Sequence, residues 1–222
     1  MTVLFLTPLF TNLPEAVLAA LIIHAVWHLI VARKLQHVRL VSRTEFWLGM
    51  ITLAGVLLID VLQGMIIGLV CSLLLVIYKS SRPHISSLGR VPGAVGAYSD
   101  LNRHPENLPV SGVMILRLDA PLYYANALTV QDRVKTLFDE ADPPPRAVIL
   151  DATVQDELDL TSAEVFKGLV KNLQSKGLAV YVAEVHAPVR DFSRSTGLYD
   201  LIGEDHMFHT VEAAVQFLET ST

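Results

Sequence analysis

The pattern of apolar and polar positions divides the chain near Lys79. Residues 1–78 contain seven charged side chains between long apolar runs, whereas residues 79–222 contain the other 32. The first run, Leu13 to Ala32, is nearly uncharged, and 20 residues of helix span about 30 Å, the thickness of the hydrocarbon core of a bilayer. We therefore predict a membrane helix over 13–32. A buried core helix is the alternative, and a signal peptide is disfavoured because residues 1–10 contain no basic side chain.

A second apolar stretch runs from Phe46 to Tyr78 and is too long for one ordinary span. Asp60, Gln63 and Gly64 interrupt it, and each half is about 14–16 residues, or roughly 21–24 Å of helix, short of a full crossing. We predict two short helices, 46–60 and 62–78, that form a hairpin. One long tilted helix is the alternative, and it would place the residues that follow on the opposite side of the membrane.

Basic residues flank the second stretch on both sides. The predicted loop 33–43 contains four basic residues and no acidic one, and Lys79, Arg82 and Arg90 follow the stretch. Since basic loops stay in the cytoplasm, both flanks are expected on the cytoplasmic side, together with the rest of the chain.

Three polar residues in residues 1–78 are candidates for function. Asp60 is an acid at membrane depth, which makes a pathway or gating role a candidate, but its position at the predicted turn of the hairpin favours a solvated turn. His24 and His28 are four residues apart and share a helix face, a spacing that suits metal binding or proton relay. No third ligand lies near them in the sequence, so packing is the favoured interpretation and no metal site is predicted.

Residues 79–222 have the pattern of a globular α/β domain. Residues 79–110 are rich in Ser, Gly and Pro and are interpreted as a linker, with one strand near Ala94–Tyr98. Apolar runs at Val113–Leu118, Ala147–Leu150 and Leu178–Ala183 predict strands covered on both faces. Helical periodicity appears at 126–141, at 162–175 and around 211–218. This alternation predicts a small, mostly parallel β-sheet flanked by helices over 111–222.

The segment from Asp151 to Glu164 lies between a predicted strand and a predicted helix. Thr161 and Glu164 have the spacing of a capping box. The capping role alone explains these two residues and is the favoured interpretation. A hydroxyl at a helix N-terminus is also a favourable place for a phosphate group, so Thr161 is a candidate phosphorylation site in the alternative interpretation. Asp119 and Asp151 end strands, where ligands often bind in α/β sheets. No Gly-rich phosphate loop or nucleophile–base pair is present, and we do not predict an enzyme or a cofactor.

The charge and the cysteine content exclude further classes of function. The net charge of −5 divides into +1 for residues 1–78 and −6 for residues 79–222. An acidic globular part argues against nucleic-acid binding, which requires a basic face. Cys71 is the single cysteine, so neither an internal disulfide nor a cysteine-based metal site is possible.

Four segments resemble one known family: GRVPGAVGAYSDLNRHPEN (89–107), VMILRLDAPLYYANA (113–127), VILDATVQDELDLTSAEVFKGLVKNLQSKG (148–177) and VRDFSRSTGL (189–198). They are similar to the STAS domain (sulfate transporters and anti-sigma-factor antagonists) of SulP (sulfate permease) anion transporters. Residues 13–78 resemble the last membrane helices of the same family. The resemblance implies fourteen membrane segments in a complete transporter, the last three in its gate domain, with both termini cytoplasmic. It also implies that Thr161, in the motif Asp159-Leu160-Thr161, matches the phosphorylated serine of anti-sigma-factor antagonists.

The resemblance implies a C-terminal fragment of an inorganic anion transporter, with sulfate as the typical substrate. The anion-binding segments of the family are missing, so the chain alone is not expected to transport and no substrate residue is assigned. The expected partners are membrane lipid, a second copy or the missing transporter half, and the anion through the complete transporter. The expected location is the cell (inner) membrane, with a cytoplasmic STAS domain. The alternatives are a membrane-tethered STAS regulatory module, responsive to phosphorylation or nucleotide, and a remnant of a split gene.

Overall fold

The computed structural model describes residues 15–27 and 32–220. The chain divides into two compact units, residues 1–74 and 75–222, and each is described by itself. The helices before the sheet are α1 (Glu15–Trp27), α2 (Ala32–Val41), α3 (Arg43–Leu58) and α4 (Val61–Ser80).

Helix α4 has the properties of a membrane span. Among the described residues it is the helix long and apolar enough to cross a bilayer, at 20 residues. Only 11% of its most apolar part is buried, so α4 does not resemble the core helix of a soluble protein. A shorter apolar helical stretch, Val17–Trp27, lies in α1. The expectation that the helix after Asp60 falls short of a full crossing is therefore wrong, because α4 continues to Ser80 and reaches about 30 Å.

The prediction of a loop at residues 33–43 is also wrong, because helix α2 occupies most of this segment. Its sequence, ARKLQHVRLV, contains no Gly or Pro and consists largely of good helix formers, which outweigh its charge. The chain leaves the helical conformation at Ser42, where φ is −143°, and the Ser42 hydroxyl accepts a hydrogen bond from the Glu45 backbone N–H at 3.4 Å. Ser42 therefore caps α3.

Helices α3 and α4 are separated by Ile59 and Asp60, where the sequence predicted the turn of a hairpin. Glycines let the two helices approach closely. A Cβ atom added to Gly64 would lie 2.2 Å from the backbone nitrogen of Val56, and one added to Gly68 would lie 2.3 Å from the Thr52 hydroxyl oxygen. Small residues at such contacts are typical of helices that pack in membranes.

Residues 75–222 contain a six-stranded sheet in the order β2-β1-β3-β4-β5-β6. Its strands are β1 (Ile85–Arg90), β2 (Tyr98–Asp100), β3 (Val113–Leu118), β4 (Ala147–Asp151), β5 (Ala179–Ala183) and β6 (Met207–Phe208). Strands β3 to β6 are parallel, whereas β1 and β2 are antiparallel to their neighbours. The helices are α5 (Ala127–Asp139), α6 (Leu160–Ser175), α7 (Ala187–Thr196), α8 (Leu198–Ile202) and α9 (Val211–Thr220), with a 3₁₀ turn at Glu204–His206. The predicted mixed α/β architecture is confirmed.

The predicted linker 79–110 is partly wrong, because β1 and β2 lie within it and extend the sheet. The strand expected at Ala94–Tyr98 is wrong as well: the backbone turns there, and β2 starts only at Tyr98. Strand β1 was missed because its buried positions include Ser86 and Gly89, so it lacks an apolar run. A Cβ atom on Gly89 would lie 2.4 Å from a methyl carbon of Leu101 and 3.1 Å from the Leu108 carbonyl oxygen, so a larger residue at this position would require the Leu101 side chain to move.

Alternate residues of the central strands point to two apolar layers. Leu116 and Leu150 belong to the layer that also contains buried residues of α5, α6 and α8. Ile115 and Ile149 belong to the layer formed with α9. All four side chains are buried, which explains why β3 and β4 were recognisable as continuous apolar runs.

Candidate functional site

The carboxyl ends of β3 and β4 and the N-terminus of α6 form the candidate site, which we call the carboxyl edge. It comprises the loop 119–126 after β3, the loop 152–159 after β4 and the first turn of α6. The two strands are parallel neighbours, with Arg117 opposite Asp151, so the loops that follow them leave the sheet at the same edge. This is the position at which open α/β sheets commonly place ligands or regulatory groups.

Gln155 joins the two loops. Its buried side-chain amide oxygen accepts a hydrogen bond from the Leu122 backbone N–H at 2.7 Å, and its amide nitrogen donates to the Ala120 carbonyl at 3.0 Å. Both the oxygen and the nitrogen of the Gln155 side chain form hydrogen bonds to the loop after β3. Gln155 therefore fixes this loop relative to the loop after β4, in which Gln155 itself lies. Sequence reasoning missed Gln155, since a single glutamine in a polar loop gives no sign of burial.

Asp159 is the N-cap of α6. One carboxylate oxygen accepts from the Ser162 backbone N–H at 2.8 Å, and the other accepts from the Tyr124 backbone N–H at 2.7 Å. Desolvation acts to raise the pKa of Asp159, but the hydrogen bonds from Ser162, Tyr124 and Thr161 outweigh it and hold the pKa below its ordinary value. The ionised carboxylate is thus favoured, and it ties loop 119–126 to α6.

The capping box predicted for Thr161 and Glu164 is wrong. Helix α6 begins at Leu160, so Thr161 lies inside its first turn, and Asp159 provides the cap because its backbone is extended there (φ −92°, ψ 165°). Glu164 instead pairs with Lys167 at 2.7 Å. Thr161 is exposed and close to the free end of the helix. The structure therefore brings Asp159 and Thr161, the two residues of the predicted phosphorylation site, into one helix turn.

Asp119 and Asp151 are engaged in local hydrogen bonds. Asp119 accepts from the Ser86 hydroxyl at 2.5 Å and from the Arg117 guanidinium at 2.8 Å. Burial acts to raise the pKa of Asp119, but these two donors outweigh it and lower the pKa. Asp151 is buried and accepts from the backbone N–H of Thr153 at 3.0 Å and from its hydroxyl. Both carboxylates stabilise the strand ends on which the sequence placed them.

Consecutive tyrosines connect the carboxyl edge with the end of α4. The Tyr123 hydroxyl lies 2.6 Å from the hydroxyl of Ser80, the last residue of α4, while the next backbone N–H, that of Tyr124, bonds Asp159. The fully buried Asn126 holds this turn, because its side chain accepts from the Tyr123 N–H at 2.9 Å and donates to the Pro121 carbonyl at 2.9 Å. The sequence motif LYYAN (122–126) contained these residues without indicating their contacts.

An apolar cavity of about 50 Å³ lies beneath the carboxyl edge, lined by residues such as Leu150, Phe166 and Ile202. Pockets that hold drug-sized ligands are about 300–1,000 Å³, so this cavity is too small for a nucleotide. A nucleotide-responsive mechanism at this edge gains no support from the cavity.

The candidate residues in the helices before the sheet are only partly described. Asp60 is exposed between α3 and α4, and its carboxylate accepts from the Val61 backbone N–H at 2.8 Å. His24 lies in α1, whereas His28 is outside the described residues. Within the described residues no group of three or more His, Cys, Asp and Glu side chains could hold a metal ion.

Comparison with known proteins identifies the family. The family model for the STAS domain matches residues 104–214, and the model of the sulfate permease family matches residues 1–52. A probable sulfate transporter of Mycobacterium tuberculosis (strain H37Rv) is 33% identical over 212 residues, which are 96% of this chain and 38% of that protein. Probable sulfate transporter 4.2 of Arabidopsis thaliana is 31% identical over 224 residues, which are 97% of this chain and 33% of that protein.

The fold has a counterpart among solved structures. The murine Slc26a9 anion transporter in its inward-facing state superposes with a TM-score of 0.75 at 22% identity, over 94% of this chain and 34% of that one. The chain thus spans between about a third and two fifths of the length of the relatives it matches. These matches confirm the resemblance drawn from the sequence motifs: the chain belongs to the sulfate permease (SulP) family and contains a STAS domain.

Proposed function

We propose that this chain provides the last membrane helices and the cytoplasmic STAS domain of an inorganic anion transporter, with sulfate as the anion. The main support for this proposal is the order of the structural elements along the chain. The 20-residue apolar helix α4 ends at Ser80, and the first strand of the STAS sheet begins at Ile85. Only the four residues Ser81, Arg82, Pro83 and His84 join the two. A membrane-length helix therefore leads almost directly into the STAS domain.

The residues at the end of α4 support a cytoplasmic STAS domain. Lys79 and Arg82 follow the apolar part of the helix, and the Arg82 guanidinium lies over the ring of Tyr78, 4.7 Å from its centre. Aromatic and basic side chains are typical of the boundary between the hydrocarbon core and water, and basic residues favour the cytoplasmic side. We place the chain in the cell membrane, with membrane lipid around α4.

The chain alone is proposed not to transport. Transporters with inverted repeats bind their substrate at the interface between repeats, near the middle of the membrane. Helices α1, α3 and α4 cannot by themselves form such an interface, so a further membrane part is needed. A second copy of the chain is the other proposed partner, through dimer formation.

A chimeric transporter tests this proposal. The segment of the Mycobacterium tuberculosis relative that aligns with this chain is replaced by this chain, and uptake of radiolabelled sulfate is measured in proteoliposomes. We expect uptake by the chimera and none by this chain alone. A chimera that inserts into the membrane as a folded protein but takes up no sulfate would contradict the role of this chain as the last membrane helices and STAS domain of such a transporter. Uptake by the chain alone would contradict its dependence on further membrane helices.

A regulatory switch at Thr161 is a second candidate function, and the exposure of this residue beside Asp159 favours it. A phosphate on Thr161 would carry about −1.5 to −2 charges at neutral pH. It would repel the Asp159 carboxylate and compete with it for the free N–H groups of the first turn of α6. Since Asp159 also holds the Tyr124 N–H, phosphorylation is proposed to loosen the loop that contacts Ser80.

A further inference from the structure

A second pocket, separate from the carboxyl edge, lies between α7, α8 and β6. Its volume is about 160 Å³. Its polar lining consists of Arg190, Arg194, Tyr199, Glu204 and His209. These residues include both arginines of the segment VRDFSRSTGL, which neither the sheet nor the proposed phosphorylation site uses.

The backbone places the two arginines on one side of the pocket. They are four residues apart in α7 and therefore share a helix face. Gly197, in the left-handed conformation with φ 74°, ends α7 and turns the chain into α8. This turn brings the Tyr199 ring beneath the Arg194 guanidinium, 4.7 Å from it.

Both guanidinium groups are held in position by neighbours. Arg190 donates to the Val185 carbonyl at 3.0 Å, and Arg194 is supported by the Tyr199 ring and by Asp191 at 3.7 Å. Each guanidinium has five N–H donors, so these contacts leave further donors for a ligand. Groups that are already oriented lose less conformational entropy when a ligand binds.

Charge and size together define the ligand class. Two arginines and one glutamate give the pocket lining a formal charge of +1, and Asp191, which lies outside the lining and pairs with Arg194 at 3.7 Å, adds one negative charge nearby. Residues 79–222 as a whole carry −6. A volume of about 160 Å³ is below the range of about 300–1,000 Å³ that larger ligands need, so it suits a small ion. Guanidinium groups bind oxyanions through pairs of parallel hydrogen bonds.

We propose that this pocket binds a small dianionic oxyanion, either sulfate or hydrogen phosphate. Glu204 distinguishes the two, because hydrogen phosphate can donate its proton to a carboxylate, whereas sulfate has no proton to donate. Hydrogen phosphate is therefore bound more tightly than sulfate. Binding of the oxyanion to the STAS domain is measured directly and does not require transport.

Isothermal titration calorimetry on the full chain in lipid nanodiscs tests the site. Sodium sulfate, sodium phosphate and ATP are the titrants, and ionic strength is balanced by sodium chloride. Arg194→Gln is expected to weaken binding of both ions about tenfold, which corresponds to about 1.4 kcal/mol. Glu204→Gln is expected to reduce the preference for phosphate. Arg133→Gln removes an exposed arginine of α5 outside the pocket and is expected to leave binding unchanged.

The binding measurements either support or overturn the proposed oxyanion site. Saturable binding that Arg194→Gln weakens and Arg133→Gln does not would support the site, and circular dichroism of both variants would show that they are folded. Absence of saturable binding by the unmodified chain, or equal binding by the Arg194→Gln variant, would overturn it. Binding of ATP without binding of either inorganic ion would overturn the assignment to a small oxyanion.

Discussion

The Tyr124 backbone N–H donates to the Asp159 carboxylate at 2.7 Å and so joins the loop after β3 to the first turn of α6. The preceding residue, Tyr123, reaches the Ser80 hydroxyl at the end of α4. Two adjacent residues of one loop therefore contact both the end of a membrane-length helix and the proposed phosphorylation site. A single turn of the chain thus lies between Asp159 and Ser80.

Replacement of Asp159 by alanine is expected to destabilise the STAS domain. Loss of an N-cap costs about 0.5–2 kcal/mol, and the value should lie in the upper part of this range because the Tyr124 N–H loses its acceptor too. Chemical denaturation of the chain in detergent measures the free energy of unfolding. Glu157→Ala, at an exposed position of the same loop, is the control and should have little effect. Equal stability of the two variants would contradict the capping role.

The pKa of Asp159 predicts a loss of stability in acid. Its pKa in the folded chain lies below the ordinary value, so ionised Asp159 favours the folded state above the ordinary Asp pKa of about 3.9. This contribution is lost as pH falls through the lower pKa of the folded state. Asp159→Asn should therefore flatten the dependence of unfolding free energy on pH below about 4, whereas Asp132→Asn, at an exposed position of α5, should not. The same slope in both variants would refute the prediction.

A negative charge at position 161 is expected to loosen the loop after β3. In a Thr161→Glu variant the new carboxylate repels Asp159, and the Tyr124 N–H should exchange faster. Hydrogen–deuterium exchange of peptides covering 121–126 measures the effect. Thr161→Val has nearly the same shape without charge and should leave exchange unchanged. Identical exchange in the two variants would argue against the switch.

Much of the STAS fold could be predicted from the sequence, because β3, β4 and β5 are covered on both faces and form continuous apolar runs. Strand β1 could not, since Ser86 and Gly89 are buried where a strand usually has apolar residues. The polar contacts of the carboxyl edge could not be predicted from the sequence either. The sequence showed that Thr161 lies near the start of a helix. Which residue caps that helix depends on the backbone conformation at Asp159. The burial of Gln155 depends on its contact with Leu122, which is distant in the sequence.

The close approach of α3 and α4 predicts that Gly64 cannot be enlarged. A leucine at this position would place its Cβ 2.2 Å from the Val56 backbone nitrogen, and backbone atoms cannot give way as a flexible side chain can. Overpacking of this kind costs about 1–3 kcal/mol or more. Thermal unfolding in detergent should show a lower midpoint for Gly64→Leu. Gly49→Leu is the control, because a Cβ at Gly49 would meet no atom within 4 Å, and equal midpoints for the two variants would speak against the close approach.

The direct contact between Tyr123 and Ser80 is expected to contribute a measurable coupling. A double-mutant cycle with Tyr123→Phe and Ser80→Ala isolates the hydrogen bond, because each change removes one hydroxyl and little else. The bond is exposed, so the coupling should lie near the lower end of the range of about 0.5–1.5 kcal/mol for hydrogen bonds. Unfolding free energies of the four variants measure it. If the two single changes were simply additive, the contact would not hold the loop after β3 to the end of α4, and the route from Asp159 to Ser80 would end at Tyr123.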